Sequence, residues 1–256
     1  MLVLSKIINK KYIYQMKTLV VLPSYNESND ITDLIEKISN LSENNYIVVI
    51  DDNSPDQTIS IIEKFLINKN YKDKVHLIKR PNKLGRGSAV LEGLKWGYNN
   101  LDDIEIFIEM DCDFSHSPDE IHIGKKLVKN FDLVIGSRYP NGTVINWPKK
   151  RKIFSYFANQ LIRILLDRSI YDYTNGFRFY SRKTIKYLLT KKINSSGFIS
   201  LSEIVAILLK GNFTITSFPI TFNNRIRGES NVNFKEIVNA LMSILYISWK
   251  FRFGKF

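Results

Sequence analysis

An α/β fold built on a mostly parallel sheet follows from three features of the sequence. Apolar strand-like runs alternate with amphipathic helical segments through the first half. Polar clusters recur just after the strand ends, and no internal repeat or Gly/Ser-rich linker divides the chain. Strands are predicted at 18–22, 46–51, 74–79, 104–110 and 132–136. Between the first two, Ile31, Leu34, Ile35, Ile38 and Leu41 fall on one helical face, with Ser28 or Asn29 as the expected N-cap. In such sheets ligands sit at the carboxyl ends of the strands, where the polar clusters lie here.

The second half changes character after Arg138. Residues 139–152 (YPNGTVINWPKKRK) predict a basic loop, and 153–166 a helix with Phe154, Phe157, Leu161 and Leu165 at helical spacing. A strand-like stretch at 176–181 precedes a short helix, a further helix is predicted from about 201 to 209, and 213–222 reads as extended. The expected organisation is a basic extension at 1–17, one domain over 18–235 and an amphipathic helix at 236–256. In the extension, Lys6, Lys10 and Lys11 break the apolar start before a secretory core of useful length.

The bulk numbers narrow the function classes. With 256 residues, 44% of them hydrophobic and 24% charged, the chain can bury a real core. The +12 formal charge, from 37 basic and 25 acidic residues, calls for an acidic partner: a phosphate ligand, an anionic membrane or a nucleic acid. The absence of a helix-turn-helix, zinc-finger spacing or RNP-type strand argues against nucleic acid. A single cysteine, Cys112, excludes an intrachain disulfide and fits a reducing compartment.

The chemistry concentrates in four clusters. In residues 108–116 (IEMDCDFSH) an apolar run delivers Asp111 and Asp113 two positions apart; on an extended backbone both face one side and suit a single Mg²⁺ or Mn²⁺, although Asp-x-Asp also serves as an ordinary turn element. Pro23-Ser-Tyr25-Asn-Glu27 places a ring and an acid after the first strand, suited to a nucleobase. In the loop after the second strand, 51–58, Asp56 suits helix capping and Asp52 suits binding of base or ribose. After the third strand, Arg80, Lys83 and Arg86 with Gly85 and Gly87 open a helix and suit a phosphate. Gly85-x-Gly87-x-x-Val90 lacks the third small residue of a dinucleotide fingerprint, which makes a nicotinamide enzyme a poor alternative.

PSYNE, DDNSPDQT, KLGRGSA, MDCDFSH and GSRY occur in that order, each at a strand end. With them the chain resembles the inverting family 2 glycosyltransferases of the GT-A fold. Arg151-Lys-x-x-Ser155, Asp172-Tyr-Thr-Asn-Gly-Phe-Arg178, Gly197-Phe198, Glu203 and the 219–230 segment extend the resemblance to the dolichol-phosphate (polyprenyl-phosphate) mannosyltransferases, over roughly residues 18–235.

That resemblance implies a Rossmann-like, mostly parallel sheet flanked by helices, with C-terminal interfacial helices. It implies inverting transfer of mannose from GDP-mannose to a polyprenyl (dolichyl) phosphate, giving a lipid-linked sugar donor for glycosylation. The implied nucleotide-sugar pocket is Pro23, Tyr25, Glu27, Asp52, Lys83 and Gly85, and the implied metal site is Asp111 and Asp113 with Ser115. Arg138, Arg151 and Ser155 correspond to the acceptor-phosphate groups, and Arg225 to a residue that reaches the donor diphosphate. The implied location is peripheral, on the cytosolic face of a membrane (the endoplasmic reticulum in a eukaryote), with a small membrane-anchoring subunit as a candidate partner. Two departures stand out: Asn231 replaces the family's lysine after Ser230, and PNG follows GSRY in place of a glycine pair. The alternatives are another donor such as UDP-glucose on the same lipid, or a non-catalytic homologue.

The apolar stretch 237–249 is shorter than the roughly 20 residues that span a bilayer. Its flanking Trp249, Lys250 and Arg252 suit an interfacial helix, and core packing is the alternative.

Overall fold

The computed structural model describes residues 16–69, 71, 73–195, 197–224, 234–254 and 256, with the side chains of 234–240 excepted. The expected N-terminal extension therefore lies largely outside the described residues, as do Arg225, Gly228, Ser230 and Asn231.

Five predicted strands form within a residue or two of expectation: β1 (Thr18–Ser24), β2 (Asn45–Asp51), β3 (Val75–Lys79), β4 (Ile106–Glu109) and β5 (Leu133–Ser137). Four more follow from the second half: β6 (Thr143–Ile145), β7 (Arg178–Ser181), β8 (Ile215–Pro219) and β9 (Thr221–Asn223). The main sheet runs β3-β2-β1-β4-β7-β5-β8, and β6 pairs with β9 in a separate parallel ribbon. Every pairing in the main sheet is parallel except those of β7, which runs antiparallel to both β4 and β5. Sequence periodicity does not reveal that reversal. Its consequence is local: the first residue of β7, Arg178, pairs with Glu109 at the end of β4, so the loop preceding β7 is brought over the carboxyl ends of β4 and β5.

The helices are α1 (Ile31–Leu41), α2 (Thr58–Lys69), α3 (Arg86–Asn100), α4 (Ile121–Leu127), α5 (Lys149–Leu165), α6 (Arg182–Leu188), α7 (Ile199–Lys210) and α8 (Phe234–Phe253). They cover both faces of the sheet. Alternation along β1 sends Val20 and Leu22 to one side, with Ile31, Leu34, Ile35 and Ile38 of α1, and Leu19 and Val21 to the other, with Val90 and Leu94 of α3. The α3 helix lies close on the sheet because Gly93 faces it; a Cβ there would come within 2.6 Å of Val21 Cγ1.

Several local expectations change. Asp30, not Ser28 or Asn29, precedes α1, and it makes no side-chain cap; Ser28 instead donates its N–H to Asp56 Oδ2 at 3.2 Å. The segment 139–152 is not all loop, since it contains β6 and the first turn of α5, which starts at Lys149. Pro148 ends the loop there, and as the residue before N1 it gives up no helical hydrogen bond.

The C-terminal helix α8 is 20 residues long. Lys235, Glu236, Lys250 and Arg252 confine its apolar part, and among the described residues no helix is long and apolar enough to cross a membrane. One face of this helix packs, as the packing reading expected, and the other is exposed. Ile244, Ile247 and Ser248 are buried, and Ser248 Oγ donates to Leu165 O at the end of α5. Met242, Leu245, Tyr246, Trp249 and Phe253 face outward. On α5, Ile153, Phe154, Phe157, Leu161 and Ile164 are also exposed, Phe157 by 65%.

Candidate active site

The loops that follow β1 and β2 are stitched together. Asn26 N donates to Ser54 Oγ (3.0 Å), Glu27 N to Thr58 Oγ1 (3.2 Å) and Ser28 N to Asp56 Oδ2 (3.2 Å). Asp56 also accepts from Thr58 N, so it caps α2 as its residue type suggested. Burial alone would raise the Asp56 pKa, but the hydrogen bonds from Thr58 and Ser28 outweigh it and hold the carboxyl below its ordinary value. Pro23 contributes its carbonyl to the Cys112 thiol (3.2 Å), whose pKa burial pushes well up; this cysteine is a packed neutral group. Tyr25, half-buried, lies beneath the Lys83 ammonium at 3.6 Å.

Asp52 is 3% exposed and has both oxygens engaged: Oδ1 accepts from Arg80 Nη1 (2.6 Å) and Oδ2 from Gly85 N (2.7 Å). It therefore shapes the loop before α3. Gly85 sits at φ 94°, a conformation that side chains disfavour, and this turns its N–H onto Asp52. The three cations expected to face a phosphate separate. Arg80 is buried against Asp52 and Glu92, Arg86 turns into the sheet, and Lys83 is exposed.

At the end of β4 lies the acidic cluster. Asp111 and Asp113 do not sit on an extended strand, because β4 ends at Glu109 and 112–116 form a bend with Phe114 at φ 55°. The i, i+2 argument is thus replaced by a turn in which Asp113 Oδ1 accepts from Ser115 N (3.0 Å). Arg86 Nε donates to Asp111 Oδ1 (2.7 Å) while its Nη1 donates to Glu109 Oε1 (2.6 Å). The other oxygen of the fully buried Glu109 accepts from Tyr180 OH (2.9 Å). Burial opposes the Arg86 charge, yet Asp111 and Glu109 outweigh it and raise its pKa further. The His116 ring is buried; Asp111 N donates to its Nδ1 (3.2 Å), which assigns the proton to Nε2 facing Asn175 Oδ1 (2.8 Å). Burial lowers the His116 pKa despite Asp111 and Asp113, so the ring is a neutral spacer.

These oxygens fit a hard divalent cation. Ser115 Oγ is buried without a hydrogen-bond partner, in the same turn as the Asp113 carboxylate that its N–H meets. Among the described residues there is no group of three His, Cys, Asp or Glu able to hold a metal on its own. Such a donor set suits Mg²⁺ or Mn²⁺ that completes its shell with ligand phosphate oxygens.

The basic half of the site is carried by β5, α5 and the ribbon. Arg138, 6% exposed, donates through Nε to Asp172 Oδ2 and through Nη2 to Asp172 Oδ1, both at 2.8 Å, and to Thr174 Oγ1 (2.7 Å). Burial would raise the Asp172 pKa, but Arg138 overrides it and holds it down. Arg151, in the first turn of α5, donates to Asn224 Oδ1 (3.0 Å) and lies 4.3 Å over the Trp147 ring; Ser155 follows one turn later on the same helical face. Burial opposes the Arg138 charge, but Asp172 above all, with a smaller pull from Asp111, raises its pKa nonetheless.

Arg86, Glu109, Asp172 and Trp147 hold this site together, and the sequence reading gave none of them that role. Glu109 had a signal, an acid closing a wholly apolar strand. Asp172 lay within a recognised motif, whereas nothing local marked its pairing with a residue 34 positions away.

The chain matches the glycosyl transferase family 2 model over residues 19–189. It belongs to glycosyl transferase family 2 and is a glycosyltransferase. It is 33% identical over 230 residues to the polyprenol monophosphomannose synthase of Mycolicibacterium smegmatis, covering 89% of this chain and 85% of that protein. It is 30% identical over 230 residues to the undecaprenyl-phosphate mannosyltransferase of Micrococcus luteus, covering 90% and 93%. Among solved structures, the glucosyl-3-phosphoglycerate synthase of Mycobacterium tuberculosis with Mn²⁺, UDP-glucose and phosphoglyceric acid superposes with a TM-score of 0.65 at 16% identity, covering 94% of this chain and 82% of that one. At that identity the likeness establishes the GT-A fold alone.

Proposed function

We propose that this enzyme transfers mannose from GDP-mannose to a polyprenyl phosphate in a single inverting displacement. The observation that carries the reading is the placement of Asp111 and Asp113 after β4 and of Arg138 after β5, the two strands that flank β7, with Arg151 and Arg138 sharing the Trp147 ring. The curated relatives, named for mannose transfer to polyprenyl phosphates, support the choice of sugar and acceptor.

In this reading Tyr25, Glu27 and Lys83 line the nucleotide end, with Pro23, Asp52 and Gly85 shaping its loops. Asp111, Asp113 and Ser115 would hold Mg²⁺ or Mn²⁺, which neutralises the leaving diphosphate. Arg138, Arg151 and Ser155 receive the acceptor phosphate, and Arg225 serves the donor. The acceptor oxygen is already anionic near neutral pH and requires no strong general base. The protein's task is to bring two mutually repelling phosphates together, with Arg138 held in place by Asp172.

The lipid chain places residues 18–235 against a bilayer. The exposed apolar faces of α5 and α8, flanked by Lys149, Lys150, Lys152, Lys250 and Arg252, suit an anionic membrane surface, with a small anchoring subunit as a further partner. The test is transfer of labelled sugar from GDP-mannose, with UDP-glucose in parallel, to dolichyl phosphate in detergent with Mg²⁺ or Mn²⁺. Label in the lipid phase from GDP-mannose alone supports the proposal, label from UDP-glucose alone replaces the donor, and label from neither removes the proposed reaction.

A further inference from the structure

We infer that Arg86 competes with a divalent cation for Asp111 Oδ1 in the nucleotide-free enzyme, so that metal binding is coupled to arrival of the donor diphosphate. The inference rests on the reading of Asp111 and Asp113 as a metal site and concerns what the chain does before substrate binds. Arg86 Nε and Nη2 both lie 2.7 Å from Asp111 Oδ1, the nearest approach that a cation makes to this carboxylate among the described residues. A metal ligating Oδ1 would have to share it with a permanent positive charge, and at that range two like charges repel strongly even at intermediate dielectric.

The guanidinium is fixed from below, independently of Asp111. Glu109 is fully buried, accepts Arg86 Nη1 at 2.6 Å and is itself held by Tyr180 OH at 2.9 Å. Gly176 closes the other side, since a Cβ there would lie 2.0 Å from Arg86 Nη2. Arg86 therefore presents its charge whether or not Asp111 is occupied elsewhere. Its Nη2 is buried and, despite the ionic contact, makes no well-aligned hydrogen bond. The Arg86 side chain is nonetheless 16% exposed, so an arriving diphosphate competes with Asp111 for the guanidinium. Phosphate oxygens take up the Arg86 donors as they approach, the hold on Oδ1 weakens, and the same oxygens complete the cation's shell. Metal alone and diphosphate alone each bind against an uncompensated charge, while the pair binds together.

The test is direct Mn²⁺ binding, read by electron paramagnetic resonance of the free ion, with no nucleotide and with GDP or UDP in separate arms. Wild type is expected to bind Mn²⁺ weakly alone and at least about tenfold more tightly with the matching nucleotide. Arg86→Met is expected to bind Mn²⁺ alone about tenfold more tightly than wild type and to lose most of the nucleotide enhancement. Because Arg86→Met leaves Glu109 buried without its cation, Arg86→Met/Glu109→Gln is measured beside it, with melting curves to show that both are folded. Asp113→Asn reports the metal site itself. Folded Arg86 variants whose nucleotide-free affinity is unchanged or weaker, while wild type still shows enhancement lost in Asp113→Asn, overturn the inference and leave the metal site standing. No Mn²⁺ binding to wild type under any condition removes both.

Discussion

The guanidinium carbon of Arg151 lies 4.3 Å from the centroid of the Trp147 ring. The same indole is 5.3 Å from the guanidinium carbon of Arg138, so one buried ring faces two cations and offsets their repulsion through its quadrupole. A cation–π contact of this kind contributes about 0.5–2 kcal/mol. Trp147→Leu is expected to raise KM for polyprenyl phosphate about threefold to thirtyfold with a smaller change in kcat, and Trp147→Phe to recover part of the loss. Steady-state kinetics with varied lipid and fixed donor check this; an effect confined to kcat would mean that the ring does not organise the acceptor arginines.

The two halves of the site should separate kinetically. Asp113→Asn is expected to abolish turnover, and Arg151→Ala to act mainly on the lipid acceptor, with a loss of about tenfold or more, as for one charge-assisted contact of about 1.5–3 kcal/mol. Wild-type kinetics in both variants would refute the assignment of these residues.

Removing the partner of Arg138 should cost stability. Asp172 is fully buried and takes both guanidinium bonds, so Asp172→Asn leaves a buried cation without compensation, at a cost of about 3–5 kcal/mol. The folded pKa of Asp172 lies below its unfolded value. Its contribution is therefore present at neutral pH and is lost as pH falls through the acidic range. Urea unfolding at pH 7 and at a pH well below 3.8 should show the difference between wild type and variant shrinking at the lower pH.

Lys125 gives a slope of the same sign, but in the alkaline range and as a penalty relieved. It is 3% exposed, with Nζ near Met16 O (3.2 Å) and Asn45 Oδ1 (3.5 Å), and burial lowers its pKa from 10.5 to about 8 against the pull of Glu105. Below about 8 both folded and unfolded chains carry the charge and the folded state bears its desolvation. Between about 8 and 10.5 only the unfolded chain retains the proton, so stability rises with pH; above that range the penalty is gone. The full span corresponds to about 3 kcal/mol. Lys125→Met should be more stable than wild type at pH 7, with the gap closing by pH 10.5. A gap independent of pH would show that the gain comes from packing.

The exposed apolar faces predict where the enzyme meets lipid. Phe157 and Trp249 are 65% and 57% exposed, on α5 and α8 respectively. Phe157→Glu/Trp249→Glu should reduce co-sedimentation with anionic liposomes severalfold while leaving the melting temperature within a few degrees, since both side chains are mostly exposed and touch neighbouring rings on their own helices. Unchanged co-sedimentation would place the membrane surface elsewhere.

Residues close in sequence settled much of this protein. The alternation of buried strands and amphipathic helices determined the α/β class because each local period, two or 3.6, is set by backbone geometry alone. The strand-end clusters were legible for the same reason: Asp111 and Asp113, Tyr25 and Glu27, Lys83 and Arg138 each follow a strand whose apolar run announces where it stops. Tertiary structure alone decided how those clusters meet. It reversed β7, carrying Asp172 to Arg138, and it turned Arg86 from the loop after β3 onto Glu109 and Asp111, 23 and 25 residues away. It also divided α8 into a packed face and an exposed one, because Ser248 and Ile247 are buried against the fold while Trp249 stays exposed beside Tyr246. The physical reason is common to all three. A buried charge or apolar face takes its partner from whatever element the sheet order brings beside it, and that order is set by long-range packing rather than by the period of any one segment.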